Sequence, residues 1–223
     1  EPRDNECLEI IDEECDTVQI GIIQTISVPG YSPCGVKVKY DLFFCETPEG
    51  LVIRYVFNNF SAAPDSTDSD CDSLIHRWDS LLNEAFDYTT LNAEWDAFSL
   101  AAKNALEYKY MDSLFQNQTY RDSFPCGGSN QQHFTTEFYE SLCYKWCALT
   151  YGTDPVNIIY YQISCGSACC KRDALWCWST ILNPPRLVKG DYSYTDYGTC
   201  SNTPDGICAG TLVGDCNSHT CEP

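Results

Sequence analysis

The sequence predicts an α+β fold: antiparallel β-meanders forming a sheet or sandwich, with an inserted helical hairpin and multiple disulfides. Three observations predict it. First, Val36, Val38, Tyr40, Leu42 and Phe44 alternate with Lys37, Lys39 and Asp41, the period of two expected of a half-buried strand. Second, from Leu74 the apolar spacing changes to that of an amphipathic helix. Third, 223 residues carry 16 cysteines, an even count that fits a disulfide framework made in an oxidising compartment.

Residues 1–16 read as an acidic arm. Eight carboxylates there face only Arg3, and Cys7 and Cys15 bracket the segment. The core domain is expected over residues 17–188, opening with a β-meander over 17–60. Val, Ile and Thr dominate residues 17–28, and Pro29-Gly30 breaks the run. After the alternation of 36–44 and a turn at 46–50, Leu51, Ile53, Tyr55 and Phe57 resume it. Turns of this length join antiparallel neighbours.

A polar break, residues 61–70, precedes a helical hairpin placed over 70–116. Leu74, Ile75, Trp78, Leu81, Leu82 and Ala85 share one helical face, with Ser69 or Asp70 as the expected N-cap. A second helix from about residue 92 to 116 carries Trp95, Phe98, Ala102, Ala105, Leu106, Met111, Leu114 and Phe115. Phe124-Pro125-Cys126-Gly127-Gly128 ends the helical region. Strands are expected over 134–182: one across 134–149, where Thr, Tyr and Phe outweigh a four-residue spacing, then 156–165 and 174–182. Residues 189–223 are rich in Gly, Ser, Thr, Asp and Asn and read as an irregular, disulfide-stapled tail.

Composition excludes several classes. The 13 basic and 32 acidic residues give a charge of -19, which argues against nucleic acid and anionic membrane surfaces as partners. No apolar run is long enough for a membrane span. The chain starts at Glu1 and its only methionine is Met111, so we expect a signal peptide to have been removed. These features predict a secreted, extracellular protein.

All sixteen cysteines are expected in disulfides: Cys7, Cys15, Cys34, Cys45, Cys71, Cys126, Cys143, Cys147, Cys165, Cys169, Cys170, Cys177, Cys200, Cys208, Cys216 and Cys221. None has the C-x-x-C spacing of a zinc or redox site. Pairing is left open by the sequence. The three histidines, His76, His133 and His219, make no H-E-x-x-H motif, and no G-x-S-x-G elbow exists. With 32 acids, two carboxylates at glycosidase spacing arise by chance, so no catalytic residue is assigned.

Asp68, Asp70 and Asp72 begin a run resembling an acidic calcium loop, although Ser73 stands where an EF-hand needs glycine. The competing reading is a solvated, helix-capping run. Tyr192, Tyr194 and Tyr197 lie in a polar segment and are read as a contact surface, Tyr192 and Tyr194 sharing a face if extended. Local cover for the sheet is the plainer alternative. Asn59 and Asn117 head glycosylation sequons.

The pattern FYESLCYKWC, then IIYYQISCGSACCKR, then LWCW, within residues 138–178, resembles uncharacterised cysteine-rich secreted proteins of Bacteroidota-type bacteria. The resemblance implies a bacterial extracellular setting and a strand over 136–147, and it brings no catalytic residue.

The function expected is a structural or assembly protein outside the cell, a subunit of a filament or surface structure partnered by copies of itself. The alternatives are a binding module or adhesin for glycans or a cell surface, and a hydrolase using acidic residues. No cofactor is expected beyond calcium at the acidic run.

Overall fold

The alternating apolar residues of the first strands can be buried only if another layer covers one face of the sheet they form. The computed structural model of the chain supplies that layer with helices. It describes residues 15–46, 52–85, 87–127, 133–151, 157–166, 168–201, 208, 210–218 and 221. Three strands, β1 (Cys15–Ser27), β2 (Gly35–Glu46) and β3 (Val52–Pro64), come first. Three helices follow: α1 (Asp72–Asn83), α2 (Tyr88–Phe115) and α3 (Gln118–Ser123). Six more strands follow among the described residues: β4 (His133–Ser141), β5 (Cys143–Tyr151), β6 (Asn157–Ser164), β7 (Cys169–Ser179), β8 (Arg186–Tyr197) and β9 (Thr211–Ser218). The fold is α+β, as the sequence predicts.

The strands form a six-stranded sheet, ordered β1-β2-β3-β4-β7-β8, and a three-stranded sheet, ordered β6-β5-β9. Every neighbouring pair is antiparallel except β3 and β4, which run parallel in register Val52↔His133 to Phe57↔Phe138. Parallel neighbours need a long crossover, and the three helices provide it. The inserted hairpin is thus the connection that sets the sheet order.

The core lies between the helices and one face of the larger sheet. Val36, Val38, Tyr40 and Leu42 of β2 and Tyr55 and Phe57 of β3 meet Leu91, Phe98, Ala102, Leu106, Met111 and Phe115 of α2. Phe57 stacks on Phe138 at 4.6 Å between centroids, and Tyr55 stacks on Phe134 at 5.6 Å. Trp95 of α2 touches Trp146 of β5 at 5.1 Å. Trp146 also donates its indole N–H to Asn92 Oδ1 at 2.7 Å, and the Tyr144 hydroxyl donates to Asp96 at 3.1 Å. These contacts join α2 to β5 of the smaller sheet as well as to the larger sheet.

Several boundaries differ from expectation. β3 runs on to Pro64 through part of the polar break, because an irregularity between Lys39 and Asp41 restores pairing with β2 and turns Ala62 into the core. Neither Ser69 nor Asp70 caps α1. Cys71 stands at its N-cap without a side-chain bond, and Asp68 caps the preceding 3-10 turn, Ser69–Cys71. α2 starts earlier than expected because Asp87 accepts from Thr90 N at 3.1 Å. The single strand expected over 134–149 is two strands in different sheets, parted at Leu142, whose N–H bonds to Ala168 O at 2.8 Å. The tail read as irregular contains most of β8 and all of β9, so both sheets depend on it. Of the acidic arm, Cys15 and Asp16 open β1, while residues 1–14, including Cys7, lie outside the described residues.

Candidate functional site

Among the described residues, seven disulfides join Cys15–Cys45, Cys34–Cys71, Cys126–Cys177, Cys143–Cys200, Cys147–Cys208, Cys165–Cys216 and Cys170–Cys221. Cys169 is disulfide-bonded as well, and no described cysteine is free. The bridges are distributed along the fold. One staples β1 to β2 and one ties the β1–β2 turn to the start of α1. One fixes the segment after α3 to β7, and four anchor β5, the end of β6 and the start of β7 to the chain after β8.

A second feature is a buried polar cluster under α2. α2 buries Lys103 and Glu107, one turn apart, against β4, β7 and β8. Register brings their partners into rows, since Thr136 pairs with Ala174 and Ala174 with Tyr192, while Phe134 pairs with Trp176 and Trp176 with Lys189. A bulge between Ala174 and Trp176 brings Lys189 and Tyr192 to bear on one carboxylate. The Trp176 indole donates to Thr136 Oγ1 at 2.8 Å, and Thr136 donates to Glu107 Oε1. On Oε2, the Tyr192 hydroxyl donates at 2.6 Å, with Lys189 Nζ at 3.7 Å and Arg172 at 3.9 Å.

Glu107 is 0% exposed and Arg172 2%. The Arg172 guanidinium lies 4.3 Å from the Tyr192 ring and 4.8 Å from the Phe138 ring. Lys103 pairs with Glu140. Burial pushes Lys103 and Lys189 below the usual lysine range, against the pull of Glu140 and Glu107 respectively. Burial raises Tyr192. With both oxygens of Glu107 engaged and the group enclosed, the cluster ties α2 to the sheet. Its sequence signal is slight: Lys103 and Glu107 sit beside Ala102 and Leu106 and read as a solvated helix face.

The opposite face carries a smaller network. Glu137 accepts from the Tyr139 hydroxyl at 3.2 Å and pairs with Lys171 at 3.0 Å and Arg54 at 3.7 Å.

Tyr192 and Tyr194 share a face, with ring centroids 6.2 Å apart. Tyr192 is committed to Glu107, Tyr194 packs beside the Cys165 and Cys170 cluster, and Tyr197 packs with Phe43 and Tyr139 on the other face. All three rings are half-buried. In the acidic run, Asp68 accepts from Gly35 N at 3.0 Å and from Asp70 N at 3.1 Å. Asp70 and Asp72 are exposed and not gathered with Asp68 into a ligand set. Lys37 and Thr67 hold the neighbouring Asp65 at about 2, below the usual carboxylate range. Among the described residues, the one set of three potential ligand groups is Cys170, Asp196 and Cys221. The two cysteines are bonded to each other, so they offer no thiolate. His76 is exposed on α1, and His219 lies outside the described residues. Asn117 caps α3, accepting from Thr119 N at 2.9 Å.

A groove of about 390 Å³ opens beside β2 and β3, with Phe60, Trp95, Ser61, Ser99, Lys37 and Lys39 among its lining. No protein-family model, curated protein or solved structure matches the chain.

Proposed function

We propose that this protein is an extracellular structural subunit that assembles with copies of itself into a filament or surface structure. The observation that carries the reading is the covalent mesh: seven disulfides among the described residues, spread over both sheets of a body that already has a large apolar core. A domain of this size folds on its core alone, so the bridges add resistance to heat, proteases or load. Disulfides persist outside the reducing cytosol, and no helix among the described residues is long and apolar enough to cross a membrane. Electron microscopy of native material, across salt and calcium conditions, tests the proposal. Ordered polymers that survive hot detergent without reductant support it, and dispersed monomers under every condition overturn it.

A second reading, a glycan-binding module, is favoured by the groove, where Phe60 and Trp95 adjoin Ser61 and Ser99. Aromatic faces beside hydroxyls suit sugar stacking. A glycan array without signal, with no change in melting temperature on adding sugars, argues against it.

A further inference from the structure

We propose that β1 is a self-association edge, pairing antiparallel with β1 of a second copy across a two-fold axis near Gln24. The proposal deepens the assembly reading and rests on it. β1 is an outer strand of the six-stranded sheet, and among the described residues nothing pairs with its outer side. Such an edge presents unpaired N–H and C=O groups that template another strand. Most soluble proteins blunt such edges with charge. Here Val18, Ile20 and Ile23 are 50%, 57% and 68% exposed.

Charge identifies the partner. Between Asp16 and Lys37 there is no Asp, Glu, Lys or Arg, the longest such run in the chain. Copies of a -19 protein repel one another through most of their surfaces, over a screening length of about 8–10 Å at moderate salt. The neutral edge lets two copies approach without placing like charges opposite each other. It also offers no charge to attract a basic or acidic strand from elsewhere. The far edge, β8, carries Arg186, Lys189, Asp191 and Asp196 and lacks this property.

Register limits the contact. β1 is irregular between Thr17 and Ile22, where Gly21 takes φ 66° and gives its N–H to Asp41 at 2.6 Å. Residues 22–27 pair regularly with β2 and leave a straight edge. Antiparallel pairing about Gln24 keeps the contact inside this segment and sets Ile23, the most exposed large apolar residue of β1, opposite Thr25 of the second copy. Six residues a side bury less than the roughly 1,200 Å² of a stable interface, so the dimer forms at micromolar or higher concentration. Screening the -19 charge with salt strengthens it.

Sedimentation velocity from about 1 µM to about 500 µM, at low and high salt, reads the dimer directly. The expected result is a concentration-dependent dimer, favoured by salt, whose Kd weakens at least about tenfold in Ile20→Lys/Ile23→Lys. Leu175→Lys, at a residue 49% exposed on β7, leaves association unchanged. Hydrogen exchange of the unmodified protein at rising concentration is expected to protect residues 22–27. A monomer at every concentration overturns the proposal, as does a double variant that associates like the parent. Protection that misses 22–27, or that includes 186–197 (head-to-tail pairing with β8), also overturns it. Native filaments without a β1 dimer sink the edge alone, whereas a β1 dimer in material that never polymerises sinks the filament.

Discussion

Glu107 allows the most direct test of what locks the helical layer to the sheet. Its carboxylate is enclosed, and two cations, Arg172 and Lys189, lie within 4 Å of Oε2 at 3.9 Å and 3.7 Å. Glu107→Leu keeps the volume and removes the charge. Arg172, whose Nε and one Nη make no hydrogen bond among the described residues, then has its neighbouring counter-charge taken away. Breaking a buried pair from one side costs about 3–5 kcal/mol, because the desolvated partner stays charged. At roughly 2–4 °C per kcal/mol for a chain of this size, the melting temperature falls by about 6–20 °C. Thermal unfolding at neutral pH, followed by near-UV circular dichroism and calorimetry with disulfides oxidised, measures it. Adding Arg172→Met and Lys189→Met to Glu107→Leu is expected to recover most of the loss, since the uncompensated charges are gone. A loss below about 1 kcal/mol for the single variant, or no recovery in the triple, refutes the reasoning.

Three further outcomes are expected. Burial raises Tyr55, Tyr139 and Tyr192 above the ordinary value of 10.0 and Tyr110 to about 12. The native state therefore holds protons that the unfolded chain releases, so this contribution is intact below pH 10 and is lost as pH rises through about 12 for Tyr110. Tyrosinate absorbance should show a late class that ionises only with unfolding, and titration of all tyrosines together near pH 10 contradicts it. Replacing both Cys34 and Cys71 by Ala opens a loop of 37 residues and should lower stability by about 4 kcal/mol, read by denaturant unfolding. An unchanged midpoint denies that bridge a stabilising role. Gly166→Ala should destabilise more than Gly21→Ala. Both have positive φ, but a Cβ at Gly166 meets Ser201 N at 2.6 Å and Thr199 O at 2.8 Å, whereas at Gly21 it meets nothing within 4 Å. Equal melting temperatures for the two variants count against it.

Legibility followed the range of the interaction. The alternation in β2 is a local property, so the first meander was readable within a few residues. The stripe of α2 was equally plain, although its start was missed because Asp87, five residues before Asn92, does the capping. β8 was hidden because its apolar cover comes from rings that read as polar-segment tyrosines, and β9 because its pairing partner is β5, distant in sequence. The Glu107 cluster was hidden for a related reason. A Lys and a Glu one turn apart ordinarily mark the solvated side of a helix. Here that side faces β4, β7 and β8, which only long-range register places over it.

By itself the sequence determined an acidic, disulfide-rich α+β protein, the meander, the two main helices and the neutral run that includes most of β1. Those follow from composition and from side-chain periodicity, which need no knowledge of distant neighbours. Tertiary structure decided the parallel pairing of β3 with β4, the separation of residues 134–149 into two sheets, the disulfide partners and the burial of Glu107. Each depends on which distant segments lie side by side. That choice is made by the summed burial of many side chains at once, and no local pattern encodes it.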